Sequence, residues 1–229
     1  MATADQLVLD IVPAPSFASE DYVPGEANAE ARALTSKLAW PTPIGVLLGE
    51  AGSGKSHLAH LFAERFEVVR WFDGSVPADL DTHTGVIIDG LERWTGENED
   101  ALFHTLEAAR AAQMPVLVTS REAPENLGLK RPDTVSRLRA GSRATVGQPD
   151  DALFLAIAVK LFTDRQLMVD PAIADYLLQR MERSYANLSK LIALIDERSL
   201  AAGRSITKPL AREVLAAYEL SQNSSTPSG

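Results

Sequence analysis

The chain has 229 residues, of which 45% are hydrophobic, enough to bury the core of one large domain or of a domain with a small companion. It contains no cysteine, which excludes disulfides, thiol catalysis and cysteine-based zinc sites. The net charge of −9 repels the phosphate backbone of DNA. No apolar run approaches the roughly eighteen residues of a membrane span, and no secretory signal is recognisable. We therefore expect a cytoplasmic protein without membrane contact.

Strand and helix patterns alternate along the chain as far as residue 146. We predict five strands, at residues 44–48, 68–72, 86–88, 116–119 and 144–146. Helices are predicted at residues 29–39, 56–66 and 97–112. Such alternation is typical of a parallel sheet that helices cover on both faces, so the expected fold class is α/β.

The pattern changes after Pro149, where strand signals end and helical ones continue. Asp150 or Asp151 can cap a helix that runs to about residue 164, and Pro171 can start a second one. Two more helices are predicted at residues 188–200 and 209–220. We therefore divide the chain into a flexible tail (1–15), an α/β domain (16–149), a helical domain (150–220) and a disordered polar tail (221–229).

A phosphate-loop pattern, G-x-x-x-x-G-K-[ST], lies between the first strand and the helix that follows it. Its residues are Gly49, Glu50, Ala51, Gly52, Ser53, Gly54, Lys55 and Ser56, and we count His57 with them. In such a loop Lys55 reaches the β- and γ-phosphates, and the Ser56 hydroxyl holds Mg²⁺. Because the flanking strand and helix are in place, we favour a site for ADP or ATP over a glycine-rich turn without a ligand.

A carboxylate follows the third strand. Asp89 ends an apolar run, where P-loop proteins place the carboxylate that orients Mg²⁺, so we predict a metal-site and catalytic role for it. Gly90 has no carboxylate to polarise water, and the direction of Glu92 is open, which predicts weak or no intrinsic ATPase activity. Ser120, at the end of the fourth strand, is predicted to bind the nucleotide; the alternative is a strand that simply runs into a loop.

Two segments stay ambiguous when only their residues are considered. Arg137, within residues 136–139, is either an arginine finger, which stabilises phosphoryl transfer on a neighbour's nucleotide, or part of a solvated basic turn. Chemistry alone favours the turn. Residues 6–11 alternate like an edge strand, but Leu9 and Ile11 could also dock in an apolar pocket of a partner.

The order of these motifs resembles the AAA+ domain of the bacterial replication initiator DnaA. The resemblance rests on residues 17–28, the phosphate loop, Ile88–Asp89, Thr119–Ser120, residues 136–138 and residues 206–215, and covers about residues 16–218. We expect neither the initiator's N-terminal domain nor its helix-turn-helix domain, an organisation that resembles the Hda family of DnaA inactivators. The resemblance implies an AAA+ P-loop NTPase core with a five-stranded parallel sheet, followed by a small all-helical lid.

Partners and roles follow from the same resemblance. Arg137 is similar to the family's arginine finger, which would act in trans on ATP bound to DnaA and convert it to the inactive ADP form. Gln6, Leu7, Leu9 and Ile11 match the family's clamp-binding hexapeptide. The implied partners are therefore DnaA and the DNA polymerase III sliding clamp (its β subunit), with DNA reached only through the clamp. The implied function is negative regulation of replication initiation, and a homo-oligomer is left open.

Three positions depart from the family pattern. Gly90 stands where the initiator has a second Asp, and Arg121 stands where the family often has an Asp. Ala186 aligns with the sensor arginine of the lid, and Arg183 or Lys190 could substitute for it. The choice between ATP and ADP is open at this stage.

Two other function classes compete with an adapter that regulates DnaA. An autonomous AAA+ ATPase, such as a helicase loader acting on DNA, would need appreciable hydrolysis of its own or a DNA-binding surface. A small-molecule kinase would need a substrate pocket in its lid. Fold alone does not separate these classes.

Overall fold

A computed structural model describes residues 22–37, 40–76, 85–181, 183–203 and 205–224. Its strands are β1 (Ile44–Leu48), β2 (Val69–Trp71), β3 (Gly85–Ile88), β4 (Val116–Ser120) and β5 (Ser142–Thr145). Its α-helices are α1 (Ala29–Thr35), α2 (Lys55–Ala63), α3 (Glu99–Ala111), α4 (Pro132–Ala140), α5 (Asp151–Asp164), α6 (Pro171–Leu178), α7 (Tyr185–Ala202) and α8 (Lys208–Ser224). The predicted clamp-motif residues Gln6, Leu7, Leu9 and Ile11 lie outside the described residues.

The five strands form one parallel sheet in the order β2-β3-β4-β1-β5, which confirms the predicted α/β core. β1 lies between β4 and β5, and its Leu48 pairs with Ser120 on one side and with Thr145 on the other. The strand order therefore reverses at β1. In open α/β sheets, ligands bind at the carboxyl ends of the strands at such a point.

Apolar residues fill both faces of the sheet, as expected for parallel strands that helices cover on each side. Val46 and Val118 belong to a core on the side of α3 and α4. Leu47 and Leu117, one position along, belong to a second core with α1 and α2. Successive side chains of a strand point to opposite faces, so a short apolar run in β1 and β4 anchors both helical layers.

Helix α4 was missing from the sequence-based prediction, which placed a basic turn there. Pro132 occupies the first turn of this helix, where its fixed φ suits the helical start and its missing N–H costs nothing. Thr134 and Leu138 form its buried side. Because this nine-residue helix has only these two buried positions, its apolar periodicity is too short to recognise.

Several boundaries also differ from prediction by a few residues, and two of the differences have a visible cause or extent. β5 begins at Ser142 rather than at residue 144, because Ser142 and Arg143 pair with β1 at the edge of the sheet. Helix α8 runs to Ser224, four residues into the segment expected to be a disordered tail, and residues 225–229 lie outside the described residues.

The segment from α5 to α8 is all-helical, with its own buried core, and forms the lid that the sequence predicts. Phe154, Leu177, Leu188 and Ile195 are among the buried members of that core. Asp150 caps α5 by accepting a hydrogen bond from the backbone N–H of Leu153 at 2.7 Å. Among the described residues, none of the helices combines the length and the apolar character needed to cross a membrane.

Candidate nucleotide-binding site

The phosphate loop joins the carboxyl end of β1 to the N-terminus of α2, which begins at Lys55. Gly52 and Gly54 have φ angles of 72° and 98°, values that residues with a side chain rarely adopt. The glycines therefore allow the loop to curve in front of the positive end of the α2 dipole. This arrangement suits a phosphate group.

Lys55 lies folded against the loop that it follows. Its Nζ donates hydrogen bonds to the carbonyl oxygens of Gly49 at 2.6 Å and of Glu50 at 2.7 Å. Burial lowers the pKa of Lys55, and the negative charges of Glu92 and Asp89 offset part of that effect. The ammonium group therefore lies in the electrostatic reach of both carboxylates, at the end of the loop where a β- or γ-phosphate would lie.

Asp89, at the end of β3, connects the phosphate-loop helix to β4. The Ser56 hydroxyl lies 3.1 Å from both carboxylate oxygens of Asp89. The Thr119 hydroxyl donates to Asp89 Oδ1 at 2.6 Å and accepts from the backbone N–H of Gly90 at 2.8 Å. Thr119 is thus the β4 residue that contacts Asp89.

Ser56 and Asp89 offer a hydroxyl and a carboxylate, which are oxygen ligands of the kind that Mg²⁺ prefers. They fit a Mg²⁺ ion that arrives with the phosphates, since Mg²⁺ is usually held by one or two carboxylates plus substrate oxygens. No group of three or more His, Cys, Asp or Glu side chains suitable for a metal occurs in the described part of the chain. The ion would therefore be held partly by Ser56 and Asp89 and partly by oxygens of the nucleotide.

The sequence left open whether a carboxylate besides Asp89 approaches the site, and the surroundings of Gly90 and Glu92 give the answer. Gly90 has a φ of 75°, and a Cβ added there would lie 2.9 Å from Arg93 Nε, so the guanidinium of Arg93 fills the place of a side chain at position 90. Glu92 turns towards the end of β4, where its Oε1 lies 3.1 Å from the Ser120 hydroxyl and accepts from the Arg121 N–H. A second carboxylate near the site, besides Asp89, is thus Glu92.

A cleft of about 430 Å³ opens between the phosphate loop and the lid, within the size range of small-molecule sites. From the predicted set, the residues that line it are Gly52, Ser53, Gly54, Lys55, Ser56 and His57. Gly49 and Glu50 contribute the carbonyl groups that hold Lys55, and Ala51 lies exposed in the loop. Ser120 is buried beneath Glu92 and does not line the cleft.

The segment before α1 forms another wall, which the sequence indicated only through a family resemblance. The Tyr22 ring packs edge-to-face on His57, with centroids 5.1 Å apart. The Tyr22 hydroxyl is buried and has no hydrogen-bond partner among the described residues, and burial raises its pKa. Asn28 fixes the turn by bonding to the Val23 carbonyl and the Gly25 N–H. Tyr22 and Asn28 therefore shape the wall of the cleft on the side of α1.

The lid touches the phosphate loop directly. The backbone N–H of Tyr185 donates to the Gly52 carbonyl at 3.4 Å, and a Cβ at position 52 would lie 2.3 Å from the Ser184 hydroxyl. Ser184 is also the N-cap of α7. Gly52 is therefore required for the close approach of the lid as well as for the curve of the loop.

The lid supplies two cationic side chains to the cleft, Arg165 and Lys190. Lys190 lies one turn after Ala186 on α7, while Arg183 pairs with Asp151 and does not line the cleft. Of the two substitutes considered for the sensor arginine, the geometry therefore favours Lys190. Arg165, at the C-cap of α5, was missed because it lies outside every motif.

Arg137 lies on α4, away from the cleft and not on a turn. Its Nε and Nη2 donate to Glu107 Oε1 at 2.8 and 2.7 Å. Its guanidinium carbon lies 4.9 Å from the centre of the Phe103 ring. The structure therefore separates Arg137 from the other predicted site residues of its own chain.

The chain is similar to known replication proteins over most of its length. The family model for the Hda lid domain matches residues 159–215. The replication initiator DnaA of Nitrosospira multiformis is 22% identical over 88% of this chain and 48% of its own length. Domain III of Thermotoga maritima DnaA superposes with a TM-score of 0.78, at 18% identity, over 90% of this chain and 98% of that domain.

Together with the phosphate-loop geometry, these similarities indicate the fold. The chain has the fold of DnaA domain III, and its lid is similar to the Hda lid domain. AMPPCP-bound DnaA from Aquifex aeolicus has the same fold, with a TM-score of 0.64 and 18% identity over 80% of this chain and 66% of that one. The chain spans about half the length of the Nitrosospira initiator that it matches.

We expect Lys55→Ala to abolish binding of both ADP and ATP, because the substitution removes the buried charge beside the phosphate position. Isothermal titration calorimetry would measure the affinities. Lys208→Ala is a matched control, since Lys208 contacts Tyr176 in the lid and does not line the cleft. Unchanged ADP affinity in Lys55→Ala would contradict the assignment.

Lys190→Ala should weaken nucleotide binding by about tenfold, the usual order for one charge-assisted contact. Arg183→Ala should leave affinity within about twofold, because that arginine forms an exposed ion pair with Asp151. Fluorescence titration with a labelled nucleotide compares the two variants. A larger loss in Arg183→Ala than in Lys190→Ala would reverse our choice of lid cation.

Proposed function

We propose that this chain is a negative regulator of replication initiation that stimulates hydrolysis of ATP bound to DnaA. In this proposal the chain binds ADP or ATP with Mg²⁺ in its own cleft, and it binds the DNA-loaded sliding clamp through Gln6, Leu7, Leu9 and Ile11. Arg137 then enters the nucleotide site of DnaA. DnaA is left in its inactive ADP form, and DNA is contacted only through the clamp.

The observation that carries the proposal is the position of Arg137. It lies on α4, outside the nucleotide cleft of its own chain, in a protein whose lid matches the Hda family model. An arginine finger supplied in trans by another protein stabilises the charge that develops on the transferred phosphoryl group. The location of Arg137 outside its own cleft supports such a role on a neighbouring nucleotide.

Intrinsic hydrolysis is proposed to be weak. The position after Asp89 is a glycine whose side-chain space is filled by Arg93, so no carboxylate follows Asp89 directly. Glu92, the next carboxylate along the chain, lies beside the Ser120 hydroxyl and accepts from the Arg121 N–H at the end of β4. The nucleotide bound to this chain would then serve mainly to hold the lid against the α/β core.

Arg137→Ala should abolish stimulated ATP hydrolysis by DnaA, since an arginine finger supplied in trans contributes about 10³–10⁵ in rate in related GTPase systems. Arg137→Lys should also fail, because a lysine cannot reproduce the planar two-pronged contact. The assay measures release of phosphate from DnaA-bound ATP in the presence of clamp and DNA.

Arg139→Ala is the matched control for Arg137→Ala, because it removes another arginine, an exposed one, from the same helix. Both variants should keep the nucleotide affinity and thermal stability of the wild type. Wild-type stimulation by Arg137→Ala would refute the in-trans mechanism. Rapid hydrolysis by the isolated chain would instead favour an autonomous ATPase.

Gln6→Ala combined with Leu9→Ala should remove clamp binding, since these residues supply the polar and apolar contacts of the proposed docking peptide. We expect the melting temperature to stay within about 1 °C, because the segment precedes the packed core. Surface plasmon resonance with immobilised clamp measures the binding. Retained binding would reject the motif, and a melt lowered by many degrees would favour an edge strand.

A further inference from the structure

Arg137, which we propose to act on a partner's nucleotide, is paired with the carboxylate of Glu107 in its own chain. Both Nε and Nη2 of Arg137 donate to one oxygen of Glu107, at 2.8 and 2.7 Å. Glu107 lies on α3 and also accepts from Arg110 Nε at 3.1 Å. The Arg137 side chain is only 25% exposed, so it lies along the protein surface and does not project from it.

An aromatic ring fixes the same arrangement. Phe103 lies one helical turn before Glu107 on α3, and its ring centre is 4.9 Å from the Arg137 guanidinium carbon. Arg131 approaches that ring too, at 4.4 Å, and pairs with Asp100 at 3.1 Å. Two arginines thus contact one phenylalanine, and each is paired with an acid on the α3 helix. These cation–π contacts add to the ion pairs and hold the guanidinium groups against the ring.

This geometry conflicts with what an arginine finger needs. The guanidinium recognises a phosphoryl group with a pair of parallel N–H groups, and a carboxylate competes for the same donors. Glu107 occupies the Nε and Nη2 donors of Arg137 and compensates its charge. Because the pair is partly exposed, its strength is modest and decreases with salt, so a partner's phosphates can displace it.

We propose that Glu107 is a positioning residue that holds Arg137 against α3 in the free chain and must release it before Arg137 can reach a nucleotide on the partner. The inference rests on the proposed function, because it concerns the availability of the arginine finger. Glu107 thereby lowers the rate at which the chain stimulates ATP hydrolysis by DnaA. It also keeps the positive charge of Arg137 from pairing with unrelated anions.

The test uses Glu107→Gln, which keeps the size of the side chain and removes its charge. At a limiting concentration of the full-length variant, with DNA-loaded clamp present, we expect stimulated hydrolysis of DnaA-bound ATP to rise about two- to fivefold. That range is what an exposed ion pair can supply. Glu125→Gln is the matched control, because it releases Arg143 from a comparable pair at 3.0 Å and leaves Arg137 untouched.

Two further measurements distinguish release of Arg137 from a structural effect. In an Arg137→Ala background, Glu107→Gln should have no effect on stimulation. The ratio of the Glu107→Gln rate to the wild-type rate should also fall towards one as salt rises, because salt weakens the wild-type pair. A purely structural role of Glu107 would not produce the salt dependence.

An equal or lower rate for Glu107→Gln overturns the inference, while loss of stimulation in Arg137→Ala would then leave the proposed function standing. Unchanged stimulation in Arg137→Ala overturns both. A gain in Glu107→Gln that persists in the Arg137→Ala background also overturns the inference, since the effect would not pass through Arg137.

Discussion

The carboxylate of Asp89 is the contact on which the nucleotide site depends. It receives hydroxyl groups from Ser56 at the start of α2 and from Thr119 at the end of β4, and so it fixes the phosphate loop relative to two neighbouring strands. Parallel pairing makes this possible, because the carboxyl ends of β3, β4 and β1 meet at one edge of the sheet. A nucleotide with Mg²⁺ would bind where these segments already converge.

The lid extends this arrangement beyond the sheet. Close approach of Ser184 to Gly52 places α7 beside the phosphate loop, and Lys190 of the same helix lines the cleft together with Lys55. A bound nucleotide would therefore contact core and lid together, and binding to the native state stabilises it by mass action. The proposed finger lies elsewhere, on α4, so nucleotide binding and partner stimulation would use separate surfaces of one scaffold.

The sequence predicts the core well because strong local signals coincide there. β1 has the predicted limits, since an uninterrupted apolar run stops at the first glycine of the loop. Helix α4 and the role of Thr119 could not be predicted. The helix is short and has only two buried positions, and the role of Thr119 depends on a contact between strands about thirty residues apart. The direction of the Glu92 side chain likewise depends on the left-handed backbone at Gly90. The pairing of Arg137 with Glu107 depends on the packing of α3 against α4.

We propose above that this chain acts on a nucleotide held by another protein. A decisive experiment follows radiolabelled ATP already bound to DnaA after addition of the chain, with DNA-loaded clamp either present or withheld. We expect rapid conversion of the bound ATP to ADP only when chain and loaded clamp are both present. Bound ATP that persists under that condition, or that disappears equally fast without the chain, would contradict it.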